Sequence, residues 1–428
     1  MRGARSGSVL IIGLFLLVGL SSAALAGEDS SGIEVRGKLQ APTADGERQP
    51  LEGVQILVET AEGEEIGVAT SDENGEFQLD LPAAGEYVAN LDESTLPEGA
   101  TLTDSERATL AFSMAPGQSR PLLFPFGEAQ AGGGRMVQRV LQIFVEGVKF
   151  GLTIAITAIG LSLIFGTTGL VNFSHGELVS FGAIAAYFFN VTLGMHFLIA
   201  APLAIIIGGL TGAALDRGLW RPLRGRGTGL IAMLVVSIGL SILWRYAMLY
   251  QFGGRTRPYA QYAIQRAVPI GPVQIAPKDM LAIFISLAVL VGIGLMLQKT
   301  KIGKAMRAVS DNRDLAESSG INVERVIMVV WMVGGALAAL GGILHGLGTQ
   351  VSWQMGFQLL LLMFAGVILG GLGTAYGALV GSLIVGIFVQ MSTLVIPPEL
   401  KNVGAFVVLI IVMLVRPQGI LGRAERVG

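Results

Sequence analysis

The sequence predicts a multi-span α-helical membrane protein of about eight or nine transmembrane helices with an N-terminal extracytoplasmic β-sandwich. Three observations carry that expectation. Of 428 residues, 52% are hydrophobic and 14% charged, against about 25% charged in a soluble domain. Apolar runs long enough to cross a bilayer follow one another from Val140 onward. Charge divides the chain: residues 28–130 hold 21 acidic and 5 basic side chains, a balance of −16, whereas 131–428 hold 10 and 22, a balance of +12. Opposite charge and opposite hydropathy mark two domains. The composition excludes a soluble enzyme, a nucleic-acid binder and a disordered chain. With no cysteine in the sequence, disulfides and thiolate chemistry are excluded too.

The first element is a targeting signal. Arg2 and Arg5 precede an apolar run over 9–20, which ends in Ser21-Ser-Ala-Ala-Leu-Ala26. A positive start, an apolar middle and a small-residue end are the layout of a signal peptide over residues 1–26, cleaved after Ala26. An uncleaved first helix is the alternative, and either places residues 28–130 outside the cytoplasm.

Residues 28–130 read as the sandwich. Val54, Ile56 and Val58 alternate with Gln55, Leu57 and Glu59; Phe77, Leu79 and Leu81 alternate with Gln78 and Asp80; Tyr87, Ala89 and Leu91 repeat the pattern. Period 2 is the mark of half-buried antiparallel strands. In Thr70-Ser-Asp-Glu-Asn-Gly75 the pair Asn74-Gly75 suits a turn needing positive φ. Asp72 and Asn74 hint at a calcium loop, but the spaced carboxylates and closing Glu are missing, so the turn is preferred. No Ser-His-Asp or zinc set fits here, because His175, His196 and His345 all come later. The domain is expected to be a binding or spacer module. Residues 131–135, with three consecutive glycines, are expected to be a flexible joint.

Residues 136–428 form the membrane domain. Hydropathy places spans near 141–166, 172–194, 197–215, 229–250, 279–298, 326–348, 357–372, 375–396 and 403–416, the seventh short and glycine-broken. Basic clusters at Arg217 to Arg226, at Lys299 to Arg325 and at Arg416 to Arg426 fall on one side, which the positive-inside rule makes cytoplasmic. Glycines three or four apart, such as 366, 370, 373, 377 and 381, are expected to let helices approach closely.

Two segments stand out. Gly169-Leu-Val-Asn172-Phe-Ser174-His175-Gly176-Glu177 is polar and glycine-rich between apolar runs. It reads either as a broken helix lining a watery path or as a turn capped by Asn172 or Ser174. The second is the cytoplasmic segment 301–321. Residues 303–318 suit one short amphipathic helix with Ala305, Val309 and Ala316 near one face and Gly320 as C-cap, a docking surface for a partner. Glu146, Glu177 and Arg245 are the charges read within or near spans, and they form no obvious set. His345, alone in a glycine-rich helix end, is expected to be packing or pore lining.

These residues carry a resemblance. The stretch 151–182 with Asn172-Phe-Ser-His-Gly-Glu177, the segment Asp216-Arg217-x3-Arg221-Pro-Leu-Arg224, the 301–321 loop and the ending Arg416-Pro-Gln-Gly419-Ile-Leu-Gly-Arg423 resemble the Liv-type permease family over roughly 136–426. That family comprises the membrane subunits of branched-chain amino acid ABC importers, with urea and short-chain amide importers as relatives. It usually has Ala where Ser174 stands and lacks the sandwich, whose run from Gly53 to Tyr87 resembles the carboxypeptidase regulatory-like fold.

The resemblance implies a transporter subunit in the bacterial plasma (inner) membrane, not an enzyme. It implies a second homologous permease, two cytoplasmic ATPase subunits docked on the 301–321 loop and an extracytoplasmic binding protein that delivers a small-molecule substrate, with lipid around the spans and no nucleic acid. Asn172, Ser174, His175, Gly176 and Glu177 are then expected at the substrate pathway. Gly303, Ala305, Arg307, Asp311, Asn312, Ala316, Gly320 and Ile321 are expected in the ATPase-coupling loop. No cofactor or metal is expected on this chain. Gly37-Lys38 and Gly303-Lys304 are followed by Leu39 and Ala305, so neither is a Walker A loop and ATP is used by the partners. A permease of a urea or short-chain amide ABC importer is the alternative within the family, and an ion-coupled secondary transporter and a membrane enzyme using His345 are the rival readings.

Overall fold

The computed structural model describes residues 33–42, 48–97, 100, 102, 108–114, 119–122, 124, 126, 132–262, 265–397, 400, 403–404, 406–407, 410, 414 and 419–421. The proposed signal peptide, residues 1–26, lies outside them. The chain divides into two compact units, the boundary falling between Val137 and Gln138, six residues into the first helix.

In the first unit β1 (Ile33–Lys38), β2 (Gln40–Pro42), β3 (Arg48–Pro50), β4 (Gln55–Thr60), β5 (Glu65–Thr70), β6 (Glu76–Leu81), β7 (Gly85–Leu91), β8 (Thr109–Met114) and β9 (Ser119–Leu122) build two main sheets and a β2–β3 ribbon. One sheet has the order β6-β1-β9, the other β5-β4-β7-β8. The alternation read in the sequence is the burial pattern: Ile56, Val58, Phe77, Leu81, Tyr87, Ala89 and Leu91 are all buried in one core. Tyr87 stacks on Phe112 at 5.9 Å and donates its hydroxyl to the Ala83 carbonyl at 2.7 Å. Asp72 Oδ1 accepts from the backbone N–H of Asn74 (2.9 Å) and of Glu76 (2.7 Å), and Gly75 takes φ +73°. That is an Asp-initiated turn, with the carboxylate occupied by the backbone. Only β4, β6 and β7 were singled out in the sequence; β1, β2, β3, β5, β8 and β9 were not. β5 pairs Glu65 to Thr70 with β4 but buries only Ala69 fully, so its alternation is faint.

The second unit is helical. It holds α1 (Gly132–Thr168), α2 (His175–Tyr187) with a π turn (Phe188–Thr192), α3 (Phe197–Leu215) with a π turn (Asp216–Trp220) and α4 (Arg221–Gly225). There follow α5 (Leu230–Phe252), a hairpin of β10 (Val268–Ile270) and β11 (Val273–Ile275), α6 (Pro277–Lys299), α7 (Lys301–Asp311), α8 (Arg313–Ser318), α9 (Val323–Thr349), α10 (Met355–Gly370) and α11 (Ala375–Ser392).

Among the described residues six helices are long and apolar enough to cross a membrane, fewer than the eight or nine expected. The expected span 172–194 begins as a turn, leaving α2 only 13 residues, and α10 has 16; a crossing needs about 20. The span expected at 403–416 lies mostly outside the described residues. The flexible joint is also corrected, since the helix already runs from Gly132. Each added residue of a helix gains one hydrogen bond, and no proline stops α1 on its N-terminal side.

Helix α1 is the central element: 78% of its most apolar window is buried, against 22% for α5 and for α6, which therefore lie outermost. Small residues set the closest packing. A Cβ on Gly208 would lie 2.9 Å from the Gly335 carbonyl, and one on Gly381 would lie 2.6 Å from Gly370 N, so α3 meets α9 and α10 meets α11 backbone to backbone.

Candidate functional site: a braced polar turn, a charged end and a cavity

Three parts of the helical unit hold its polar chemistry. The first is the 172–177 turn, in which Asn172, Ser174, His175 and Glu177 are all fully buried. Gly169, at φ +69°, ends α1, and Asn172 Oδ1 accepts from Ser174 N (3.1 Å) and Ser174 Oγ (2.6 Å). Asn172 thus shapes a turn ahead of α2, and Ser174 at the N-cap position makes no side-chain capping bond, so neither residue caps the helix as expected. His175 Nε2 lies 3.1 Å from the Thr157 carbonyl of α1, an acceptor, so Nε2 carries the proton. Phe173 N donates to Ser237 Oγ on α5 at 3.1 Å.

Glu177 is held from α5. Its Oε1 accepts from Ser241 Oγ at 2.8 Å, Arg245 Nε at 3.1 Å and Arg245 Nη2 at 3.0 Å. Arg245 also lies over the Phe357 ring of α10, 3.6 Å from its centroid. Glu177 and Arg245, expected to form no set, are thus an ion pair; a separation of 68 positions hid it. At Gly176 an added Cβ would lie 2.7 Å from the Gly356 carbonyl, and Gly356 N donates to Ser180 Oγ at 2.9 Å. The turn therefore locks α2 to α1, α5 and the start of α10.

The second part is the charged end. Segment 301–321 forms two helices, not one. Asn312 breaks out of helical geometry (φ −159°, ψ 109°), ends α7 and caps α8 by accepting from Leu315 N at 2.9 Å. Gly320, at φ +85°, closes α8 as expected, with Ile321 N donating to the Ala316 carbonyl at 3.1 Å.

The face assignment is corrected. Gly303, Met306, Val309 and Ala316 are buried against the chain's own core, with Ala305 and Ile321 half-buried. Arg307, Asp311, Asn312 and Gly320 are exposed, as is Leu315 at 65%. A small-residue face on an amphipathic helix at a membrane surface packs inward first, because small residues let it lie close to the helix below.

Arg224 Nη2 reaches Asp216 Oδ1 (2.8 Å) and Glu324 Oε2 (3.0 Å), while Arg313 Nη2 of α8 reaches Glu324 Oε1 (3.0 Å) and Arg221 lies 3.4 Å from Glu324. This cluster ties the ends of α3, α8 and α9 together. It brings the third and fifth connections, with their basic residues, to one end of the bundle.

The third part is a cavity of about 400 Å³ at the opposite ends of α6 and α9. Its wall includes Lys149 and Thr153 of α1, Asp279 of α6, His345 and Thr349 of α9, Gln354 and Gln358 of α10 and Gln390 of α11. Lys149 Nζ and Asp279 Oδ1 are 3.1 Å apart, each side chain about a quarter exposed. His345 lines this cavity; none of residues 172–177 does. Lys149 was missed in the sequence, although a lysine inside a long apolar run is itself a functional signal. Over the α9–α10 connection, Arg257 and Val351 exchange backbone hydrogen bonds at 2.9 Å, and burial pushes the Tyr259 phenol above its ordinary range.

The family described as "Branched-chain amino acid transport system / permease component" matches residues 143–413. The chain is similar to the high-affinity branched-chain amino acid transport system permease protein BraD of Pseudomonas aeruginosa, 31% identical over 68% of this chain and 98% of that protein. It is similar to the corresponding LivH of Escherichia coli K12, 32% identical over 67% of this chain and 96% of that one. A probable LivH of Methanocaldococcus jannaschii is 26% identical over 66% of this chain and 92% of that one.

Proposed function

The chain belongs to the branched-chain amino acid transport permease family, and from that premise we propose that it is the permease subunit of an ATP-driven importer of branched-chain amino acids. The observation that carries the reading is the family match, which extends over nearly the whole helical unit. The protein is a multi-pass membrane protein. We read the short helices α2 and α10 as partial crossings and 403–416 as the last one, which brings the total to nine.

In this reading α9 is the lever. It starts at Glu324 in the charged cluster and ends at Thr349 in the cavity wall. Cytoplasmic ATPase subunits dock on the exposed side of α7–α8, and their motion passes through Arg313 and Glu324 to α9. Close backbone packing with α3 leaves α9 little room to bend, so the push arrives at the cavity. The cavity is the outer part of the substrate route. Residues 172–177 stand behind its wall and brace α10, so they serve the pathway by position.

A binding protein delivers substrate at the cavity end. A second permease covers outward faces of α5 and α6, with lipid on the rest. The acidic N-terminal unit, similar to a carboxypeptidase regulatory-like module, stands outside as an accessory domain with charge suited to holding a basic surface. Leucine uptake into vesicles carrying the assembled importer tests the reading. Uptake should require ATP and persist when ion gradients are collapsed; uptake driven by an ion gradient without ATP overturns it.

A further inference from the structure

We propose that the Lys149–Asp279 ion pair in the cavity wall is the recognition element for the charged end of an α-amino acid zwitterion, Asp279 taking its ammonium and Lys149 its carboxylate. The inference rests on the permease reading above and deepens it. The two side chains come from different helices, the central α1 and the outer α6, and meet at 3.1 Å while remaining reachable from the cavity.

The chemistry selects one ligand class. A zwitterion entering between the two groups replaces one ion pair by two and leaves neither Lys149 nor Asp279 without a counter-charge. A singly charged isostere satisfies one member and leaves the other without its counter-charge while still partly desolvated, which is costly. Phe150, Leu344, Leu359 and Leu362 line the same cavity and offer the aliphatic side chain an apolar bed. At about 400 Å³ the cavity lies in the range of small-molecule sites, roughly 300–1,000 Å³. Glu146, one turn before Lys149, is engaged by Gln142 Nε2 at 3.0 Å, and it does not line this cavity.

The test uses the cysteine-free chain. A single cysteine replaces Gln358 in the cavity wall, and the full importer in membrane vesicles is labelled with a small water-soluble thiol reagent. Leucine at ten times its dissociation constant should slow labelling roughly 10-fold. Leucinamide, which lacks the carboxylate, and 4-methylpentanoate, which lacks the ammonium, should protect far less at the same concentration. Asp279→Asn should erase the difference between leucine and 4-methylpentanoate, and Lys149→Gln the difference between leucine and leucinamide.

Equal protection by all three compounds overturns the proposal, as does no protection by leucine. The analogue comparison needs no change at the ion pair, so it decides the matter even where a variant fails to insert. An unmutated importer that carries no leucine refutes the function; one that carries leucine without cavity protection refutes this inference alone.

Discussion

Replacing Glu177 tests whether the 172–177 turn is a brace or a substrate contact. Glu177 is fully buried and concentrates three hydrogen bonds on Oε1, two of them from Arg245. Removing one partner of a buried pair costs ~3–5 kcal/mol, because the other charge stays buried without compensation. Glu177→Gln keeps an oxygen for Ser241, and Arg245 keeps its stacking on Phe357, a contact of ~1–2 kcal/mol, so the lower end, ~3 kcal/mol, applies. Near Tm that corresponds to a drop of roughly 5–10 °C for a unit of this size.

The sharper measurement is a double-mutant cycle with Glu177→Leu, Arg245→Met and the pair together, read by unfolding of the purified protein in detergent. Each single change leaves a buried charge. The double change removes both, so the cycle should return a coupling of at least ~2 kcal/mol. An ordinary interhelical hydrogen bond in a membrane protein averages ~0.6 kcal/mol. Coupling at or below that value, or a Glu177→Gln protein that keeps its Tm and loses transport, refutes the brace and returns Glu177 to the substrate.

Other outcomes follow from the same geometry. Leu315→Asp should change stability by less than ~0.5 kcal/mol, as exposed substitutions do; if α7–α8 dock the ATPase subunits as proposed, co-purification should show their loss, since Leu315 is a large apolar side chain on the exposed side of α7–α8. Gly303→Ala would bring a Cβ within 2.5 Å of Leu297 Cα, backbone that cannot swing away; a destabilisation of ~1–3 kcal/mol is expected from overpacking, visible as a lowered Tm and lowered membrane level. Deleting residues 28–130 while keeping 1–26 should leave most leucine uptake, measured at matched membrane levels, because the core of that unit is its own.

The sequence by itself determined the class of the protein. Low charge and successive apolar runs fix a membrane protein, and four separate motifs carry its resemblance to a permease family, because each is a local property of the chain. The core of the N-terminal unit was legible for the same reason: Ile56, Val58, Phe77 and Tyr87 announce their burial by period 2 alone. Gly320 as a helix end was equally local, since a left-handed residue is a backbone requirement that glycine meets at little cost.

Only the tertiary structure decided who partners whom. Glu177 with Arg245, Lys149 with Asp279, and Glu324 with Arg221, Arg224 and Arg313 join residues 68, 130 and up to 103 positions apart or cross a broken helix. Nothing in the residues between them encodes the meeting. The same holds for faces: Gly303 and Ala316 are small in the sequence whether they await a partner or already lie against α6 and its neighbours. A charge or a small residue states what it needs, but the fold alone supplies the neighbour, because electrostatic and contact energies depend on distance in space and not along the chain.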